Sequence, residues 1–590
     1  MSGNGTLQQE GEPRVDKTVL CEEHGPVWKI TTKSAECQRL FSAAMQMIFA
    51  FNHEVALETL ELARQADEDA CMPLWAIAFC NGVNYNLFDC EEAPGAFPSN
   101  ADAVRFASLA LDAATRNPKT SKLELDLVRA IQVRNASPGP EARPTKEAKE
   151  AMRAKLNEAF AAEMAQVEAR HPFSADVTCL TIEAAMNLKP WALFTEFAGE
   201  PVGADGAFPG TQPMLDKLRD ALTKAPNHLG LLHMLIHCGE MGPLELQLEI
   251  LPDANHLVEL TRHTDLTHLT HMPSHISIWT GHYEEAATVN EQAIARDRNL
   301  VEIFGYENFF TLYRLHNYHM LVFAALLAGQ RERAVSNGRA LRDHVFSIGA
   351  FLEASGMDDF FEGFSAVFLH ALIRFGDWDE ILAEPAHANE TLFQSYNTTR
   401  LYARTLALVI GKRDLAAGKL ELEKFEQALD AMSSSRMGLN NPVKDILQVG
   451  RLQASAEVLY FEEQHGEAFD LLEEAIKVET ALIYDEPSGW MMPVRHALGA
   501  LLAEQGRIKE ARAVFLRDLE VHPRNIWSLE GLQICASEDD SHPLSDEHRQ
   551  QLAEARKVSG GNSEWADPEL NYDAATARLA REAGSAWIST

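Results

Sequence analysis

Apolar positions along this chain recur at the spacing of α-helices, and from Thr32 onward they do so in pairs of helices. The stretch FSAAMQMIFAFNHEVALETLELARQADEDA predicts a helix, a tight turn and a second helix, with small residues at Ala44, Ala56 and Ala63. Small side chains at those offsets fall where paired helices cross, because only there must the two backbones approach closely. The arrangement returns as Ser274, Ala286 and Ala293, and again as Gly499 and Ala511 in a stretch closing at Pro523. Weaker copies surround GQRERA (329–334), GDWDEI (376–381), GKRDLA (411–416) and QHGEA (464–468). The expectation is an all-α chain of antiparallel helix pairs with almost no strand.

Three proline- and glycine-rich loops interrupt this periodicity: EAPGAFPSN, ASPGPEARPT and AGEPVGADGAFPGTQP. They delimit helical segments at 101–133, 146–170 and 176–194 and are candidate hinges or lids. SSSRMGLNNP breaks the C-terminal half. The expected organisation is a disordered leader over 1–31, helix pairs over 32–95 and a helical segment with the three loops over 96–225. A histidine-rich core follows over 226–345, then further pairs over 346–535 and a polar tail over 536–590 with a short helix near 572–583.

A length of 590 residues exceeds what one simple core supports, so several domains or a repetitive solenoid is implied. The formal charge of −35 is spread along the chain, which argues against nucleic acid or an anionic membrane as partner. The N-terminus lacks a secretory pattern, no run of apolar residues is long enough to span a bilayer, and the 8 cysteines show no CxxC. Reduced thiols in a cytoplasmic protein are therefore expected.

Histidine alters the picture. The stretch from His228 to His319 holds 11 of the 22 histidines, where even scatter would place roughly three. His233, His237 and Glu240 stand at i, i+4 and i+7, on one helix face. His268, His271 and His275 have a similar spacing, but Pro273 fits best at a helix start, with His275 on that helix and the other two on its approach. His316 and His319 are one turn apart. Helices that each offer histidines in pairs build metal sites in bundles, so all eight residues are candidate ligands for a divalent Fe, Cu or Zn ion. A two-histidine, one-carboxylate face favours non-haem iron, whereas six or more histidines can hold two ions or divide into ligands and acid–base groups. His256, His263 and His282 read as ordinary core or surface residues. His53-Glu54 lacks the second histidine of HExxH and reads as a turn, and no phosphate loop, dinucleotide fingerprint or GxSxG elbow occurs.

The small-residue pattern and closing proline resemble the tetratricopeptide repeat, the helix–turn–helix unit that stacks into an α-solenoid. The words FNHEVA, GVNYN, EAAMNLKPW, HLGLLHMLIHCGE, HLTHMPSH, LHNYHML, DEPSGWMMPVRHALG and RNIWSLEGL look together like one subfamily of such proteins. Its members carry HxxxHxxE, HMPSH and HNxH boxes, and the resemblance runs from about Thr32 to Leu532. Thr267 stands where the subfamily has glycine, and Met320 where it has phenylalanine. The resemblance implies a fold and the position of a site, with little about a reaction. Glu183 and Trp191 read as packing residues or supports of the site, Trp490, Pro493 and Arg495 as structural anchors, and Tyr313 as a donor to His316 one turn on.

Two functions follow. One is a metal-dependent enzyme, an oxidoreductase among the options, acting on a small-molecule substrate inside the solenoid. The other is a scaffold that holds a peptide or protein partner in its concave groove. A groove for peptides needs no inward histidines, so the histidine words favour the first.

Overall fold

The computed structural model describes residues 28–87, 97–135, 145–171, 173–194, 208–539 and 541–559. The chain is an all-α, tetratricopeptide-like α-solenoid of antiparallel helix pairs, with 74% of the described residues helical. The only strands among them are the two-residue pieces Met437–Gly438 and Asn441–Pro442, paired antiparallel inside SSSRMGLNNP.

The pairing follows from the small residues. Ala35–Phe49 packs on His53–Ala66. Pro273–Trp279 packs on Tyr283–Phe304, and Val494–Glu504 on Ile508–Val521. Ala44, Ala56, Ala63, Ser274, Ala286, Ala293 and Ala511 are all fully buried at these crossings. The tight turn has a recurring backbone, with one residue in the left-handed region: Gly281, Gly329, Gly376 and Gly506 in four pairs, but Phe51, Arg413 and Glu463 in three others. In GKRDLA the left-handed residue is Arg413 and not Gly411, because a π-helical turn over Ala407–Gly411 displaces the helix end. Gly411 lies instead against Trp378.

The expected segment 101–133 is two helices, Asn100–Arg116 and Lys122–Arg134, the second opened by a capping box of Ser121 and Glu124. Lys146–Arg170 is one helix, and the 176–194 segment is helical only over Ala175–Met186. Most of the three loops, the leader before Trp28 and the 572–583 helix lie outside the described residues. Trp28, assigned to the leader, packs edge-on against Phe41 and Trp75. Within the tail, Asp546–Val558 is a helix packed on Ile526–Glu538.

What positions the site is the return of the solenoid on itself. Tyr283 donates from its hydroxyl to Pro523 O at 2.9 Å, and Trp527 donates from Nε1 to Leu326 O at 2.7 Å. Gly281 makes this contact possible: its φ is 77°, and a Cβ there would stand 2.4 Å from Pro523 O. The C-terminal pairs thus lie against the histidine-rich units more than two hundred residues earlier, and buried apolar side chains from Trp28 to Leu552 form one connected core.

Candidate metal centre

The Leu229–Gly239 helix carries the first two histidines and lies against Ala35–Phe49. Gly230 permits the approach, because a Cβ there would meet Cys179 Sγ and the Phe49 ring inside 3 Å. One turn on, His233 donates from Nδ1 to Phe49 O at 2.7 Å, which leaves Nε2 as a buried lone pair with no partner. His237 Nδ1 lies 2.8 Å from Glu240 Oε1, and its Nε2 is likewise buried and unpartnered. Gln247 fixes the turn that holds Glu240 by donating to the carbonyls of Glu240 and Gly242.

Pro273 opens Pro273–Trp279 as expected, but the approach to it is itself a helical turn, Thr267–His271, nearly in line. His268, His271 and His275 therefore follow one another along one side, with ring centroids 5.8 Å and 4.8 Å apart. Asn290 Nδ2 donates to Ala286 O, which turns its amide oxygen toward His271 Nδ1 at 2.6 Å. His271 Nε2 then faces His275 Nε2 at 2.8 Å. Two ligand nitrogens on one ion at right angles stand roughly 3 Å apart, close to this spacing. His275 Nδ1 lies 2.8 Å from Glu240 Oε2 and 3.3 Å from Glu486 Oε1, both contacts outside hydrogen-bonding angles. His316, on Thr311–Leu327, completes this side with its ring 4.6 Å from that of His271.

Among the described residues, ligand atoms come within 4.8 Å of one another in three groups: His233, His237 and His268; His271, His275 and His316; and Glu240, His275 and Glu486. The chain thus has histidine and acidic groups placed closely enough to hold a metal ion. Seven of the eight residues expected from the sequence belong to these groups, and His319 does not. Three residues along the helix from His316, its ring is rotated about 60° and raised about 4.5 Å. It meets Met491 Sδ at 3.0 Å and Phe364 beside a separate cavity of about 70 Å³.

Burial holds the imidazoles neutral. His233, His268, His271 and His316 are pushed well below the usual histidine range by desolvation and by one another, and His237 is lowered to about 3. His275 is the exception: burial opposes its charge, but Glu486 and Glu240 overcome this and lift it to about 10. Both carboxyls are themselves raised, first by burial.

Several supports of the site were not singled out in the sequence. Glu486 sits in the quoted word DEPSGW, where its hydrogen bond from Tyr484 holds it toward the histidines. Phe51 stacks at 5.8 Å on His237 and at 6.0 Å on His268. Trp191 lines a cavity beside the histidines, donating from Nε1 to Tyr85 O and stacked on the Tyr85 ring. Tyr313 packs its ring 4.4 Å from His268 and does not make the expected hydrogen bond to His316. Glu183 lies away from the cluster beside Arg134 and Asn187. Trp490 is an anchor as expected, packed on Gly450 and edge-on to His370. His53 opens a helix after a tight turn and bonds Asn84.

No family model matches this sequence, and no curated protein matches it. Among solved structures, the chain is similar to the human IFIT1 dimer with m7Gppp-AAAA at 12% identity and a TM-score of 0.31, covering 90% of this chain and 92% of that one. It is also similar to the APC/C hetero-tetramer Cut9–Hcn1 at 10% identity and a TM-score of 0.24, covering 85% and 90%. At these scores the likeness carries nothing about the site. No helix among the described residues is long and apolar enough to cross a membrane.

Proposed function

We propose that this chain is a metal-dependent enzyme that holds two transition-metal ions side by side. One is bound by His233, His237 and His268, the other by His271, His275 and His316, and the enzyme acts on a small molecule in the adjoining cavity. The observation that carries this reading is the set of buried ring nitrogens. His233 Nε2, His237 Nε2 and both nitrogens of His268 are without hydrogen-bond partners, while the opposite nitrogens of His233, His237 and His271 are held by oxygen acceptors. A buried unsatisfied nitrogen costs about 1–3 kcal/mol, and tethering one ring nitrogen so that the other can ligate is how metal-binding histidines are oriented. The residues fit a resident ion.

Glu240 and Glu486 stand on the Nδ1 side of His275, so they serve as acceptors behind a ligand, and the remaining donors are imidazoles. An all-imidazole set suits copper or zinc better than the two-histidine, one-carboxylate face of non-haem iron. Bound there, such ions supply Lewis acidity and, in the case of copper, one-electron chemistry. The protein's own part is to keep the other five imidazoles neutral, set the carboxylates of Glu240 and Glu486 behind His275, and shape the cavity. Trp191, a bulky residue in the left-handed backbone region with φ of 58° outside any repeat turn, is a strained position of the kind that collects at functional sites.

The fold supports a second reading, a scaffold for a peptide or protein partner. At the histidines, however, the side chains are less than a tenth exposed, and Glu486 of the returning chain covers them. Among the described residues, the cavity lining carries no lysine or arginine to grip a peptide carboxylate or an RNA phosphate. The deciding experiment is metal content of the purified native protein by mass spectrometry. Two equivalents are expected, falling to one in His271→Ala/His275→Ala and to one in His233→Ala/His237→Ala. A native protein without copper, zinc or iron, or variants with unchanged stoichiometry, returns the chain to the scaffold reading.

A further inference from the structure

The cavity beside the histidines has a volume of about 400 Å³. An apolar cavity of about 150 Å³ already admits benzene, so this one has room for a substituted ring or a bicyclic molecule. Its walls differ in character. One is the metal-site cluster, with His237, His268, His275, His316 and Glu486, and Asp485 beside it. Most of the remainder is apolar: Trp191, Phe309, Leu312, Met357, Phe360 and Leu439. Besides the cluster, hydrogen-bonding groups are few, namely Asn86, Asn440 and the Tyr313 hydroxyl.

Three classes of small molecule fit poorly. A phosphorylated metabolite is gripped best by arginine or lysine at its phosphate, and among the described residues the lining has neither, while carrying the carboxyl groups of Asp485 and Glu486. A sugar or other polyol would bury hydroxyls against Trp191, Phe309, Leu312 and Met357, which offer them no hydrogen-bond partner beyond the Trp191 Nε1 already given to Tyr85 O. A cationic amine gains from Asp485 and Glu486, but Asp485 is already occupied: Asn440 N donates to its Oδ1 at 2.8 Å and Asn441 Nδ2 to its Oδ2 at 2.7 Å. What fits is a flat apolar body with one polar end. The walls favour a ring, because Phe309 and Tyr313 meet edge-on at 6.4 Å while Trp191 is fixed in place by its stack on Tyr85, with 15° between the planes.

We propose that the substrate of this site is a small phenol-type aromatic molecule. Its ring lies among Trp191, Phe309, Leu312 and Met357, and its single oxygen is directed at the histidine cluster. The oxygen's role rests on the metal reading above, whereas the seating of the ring does not.

The test uses para-fluorophenol as probe, followed by fluorine NMR against the full-length protein as purified, with fluorodeoxyglucose and adenosine monophosphate as comparators. Binding of para-fluorophenol is expected at least tenfold more tightly than either comparator. Leu312→Trp and Met357→Trp, which fill the cavity from two different segments, are each expected to weaken it at least tenfold with metal content unchanged and the helical circular dichroism retained. His271→Ala/His275→Ala is expected to weaken it while leaving measurable binding of the ring. Tighter binding of a comparator, or para-fluorophenol binding that both filling variants leave intact, overturns the proposal. Binding abolished by the filling variants in a protein that carries no metal upholds the ring's seat and overturns the role of the oxygen together with the metal reading.

Discussion

The Glu486 carboxylate lies 3.3 Å from His275 Nδ1, although 211 positions separate the two residues in the chain. Glu486 is also 3.9 Å from His316 Nε2 and accepts a hydrogen bond from Tyr484 at 2.7 Å. Glu486→Gln keeps the shape and the hydrogen bond from Tyr484 but removes the charge behind His275. The expected outcome is a metal affinity lowered about 10–100-fold at the His271, His275 and His316 site, with that of the other site unchanged. Competition against a chromophoric chelator measures both.

Asn290 sets the tautomer of His271. Asn290→Leu removes the acceptor at Nδ1, and loss of one equivalent of tightly held metal is expected. Asn290→Asp keeps an oxygen there and restores the metal. If the leucine and aspartate variants titrate alike, the tautomer argument fails.

The turn glycines separate backbone strain from steric contact. Gly281 and Gly506 have φ of 77° and 71° in the same kind of turn, but only the first has a neighbour, Pro523 O, in the space of a Cβ; around Gly506 nothing lies within 4 Å. Gly506→Ala is expected to cost about 1 kcal/mol from the left-handed backbone alone. Gly281→Ala should cost about 1–3 kcal/mol more, since the contact must open to admit the methyl group. Urea unfolding of the two variants side by side gives the difference.

Asp518 supplies a pH signature away from the metal site. It is fully buried and is reached by His496 Nε2 at 2.8 Å, by Ser528 Oγ at 2.6 Å and by Asn525 Nδ2 at 2.9 Å. Arg374 donates to His496 Nδ1, so the other ring nitrogen carries the proton that faces Asp518. Burial alone would raise this carboxyl, but His496 and His522 hold it well below its usual range. A carboxyl depressed in the folded state stabilises the fold above its unfolded value of about 4 and loses that contribution as pH falls through the folded value. Asp518→Asn should therefore cost about 3–5 kcal/mol at pH 7. The gap in melting temperature from wild type should stay level down to about pH 5 and narrow below about pH 4. A gap that narrows toward alkaline pH contradicts the assignment.

The helix pairs were legible in the sequence because each crossing demands a small residue, and Ala44, Ala56, Ser274 and Ala286 mark these crossings without reference to the rest of the chain. Histidine spacing gave the helix faces of His233, His237, His271 and His275, since i, i+4 pairs are local. It could not separate His316 from His319: both lie on an inward side of one helix, and only the neighbours, Glu486 for one and Met491 for the other, tell them apart. Glu486 was out of reach for the same reason. It sits in a loop, and its partners are set by how the superhelix closes, which no local pattern records.

That closure also orders the site in time. During synthesis His316 leaves the ribosome 170 residues ahead of Glu486, an interval on the order of 10–30 s at typical elongation rates. For that interval the six imidazoles share the nascent chain with Glu240 but without their second carboxylate or the Tyr283–Pro523 and Trp527–Leu326 contacts that bring it to them. A cation captured early is held by histidines on an open half-superhelix, still free to exchange, and the last helix pairs to fold are the ones that close the door on it.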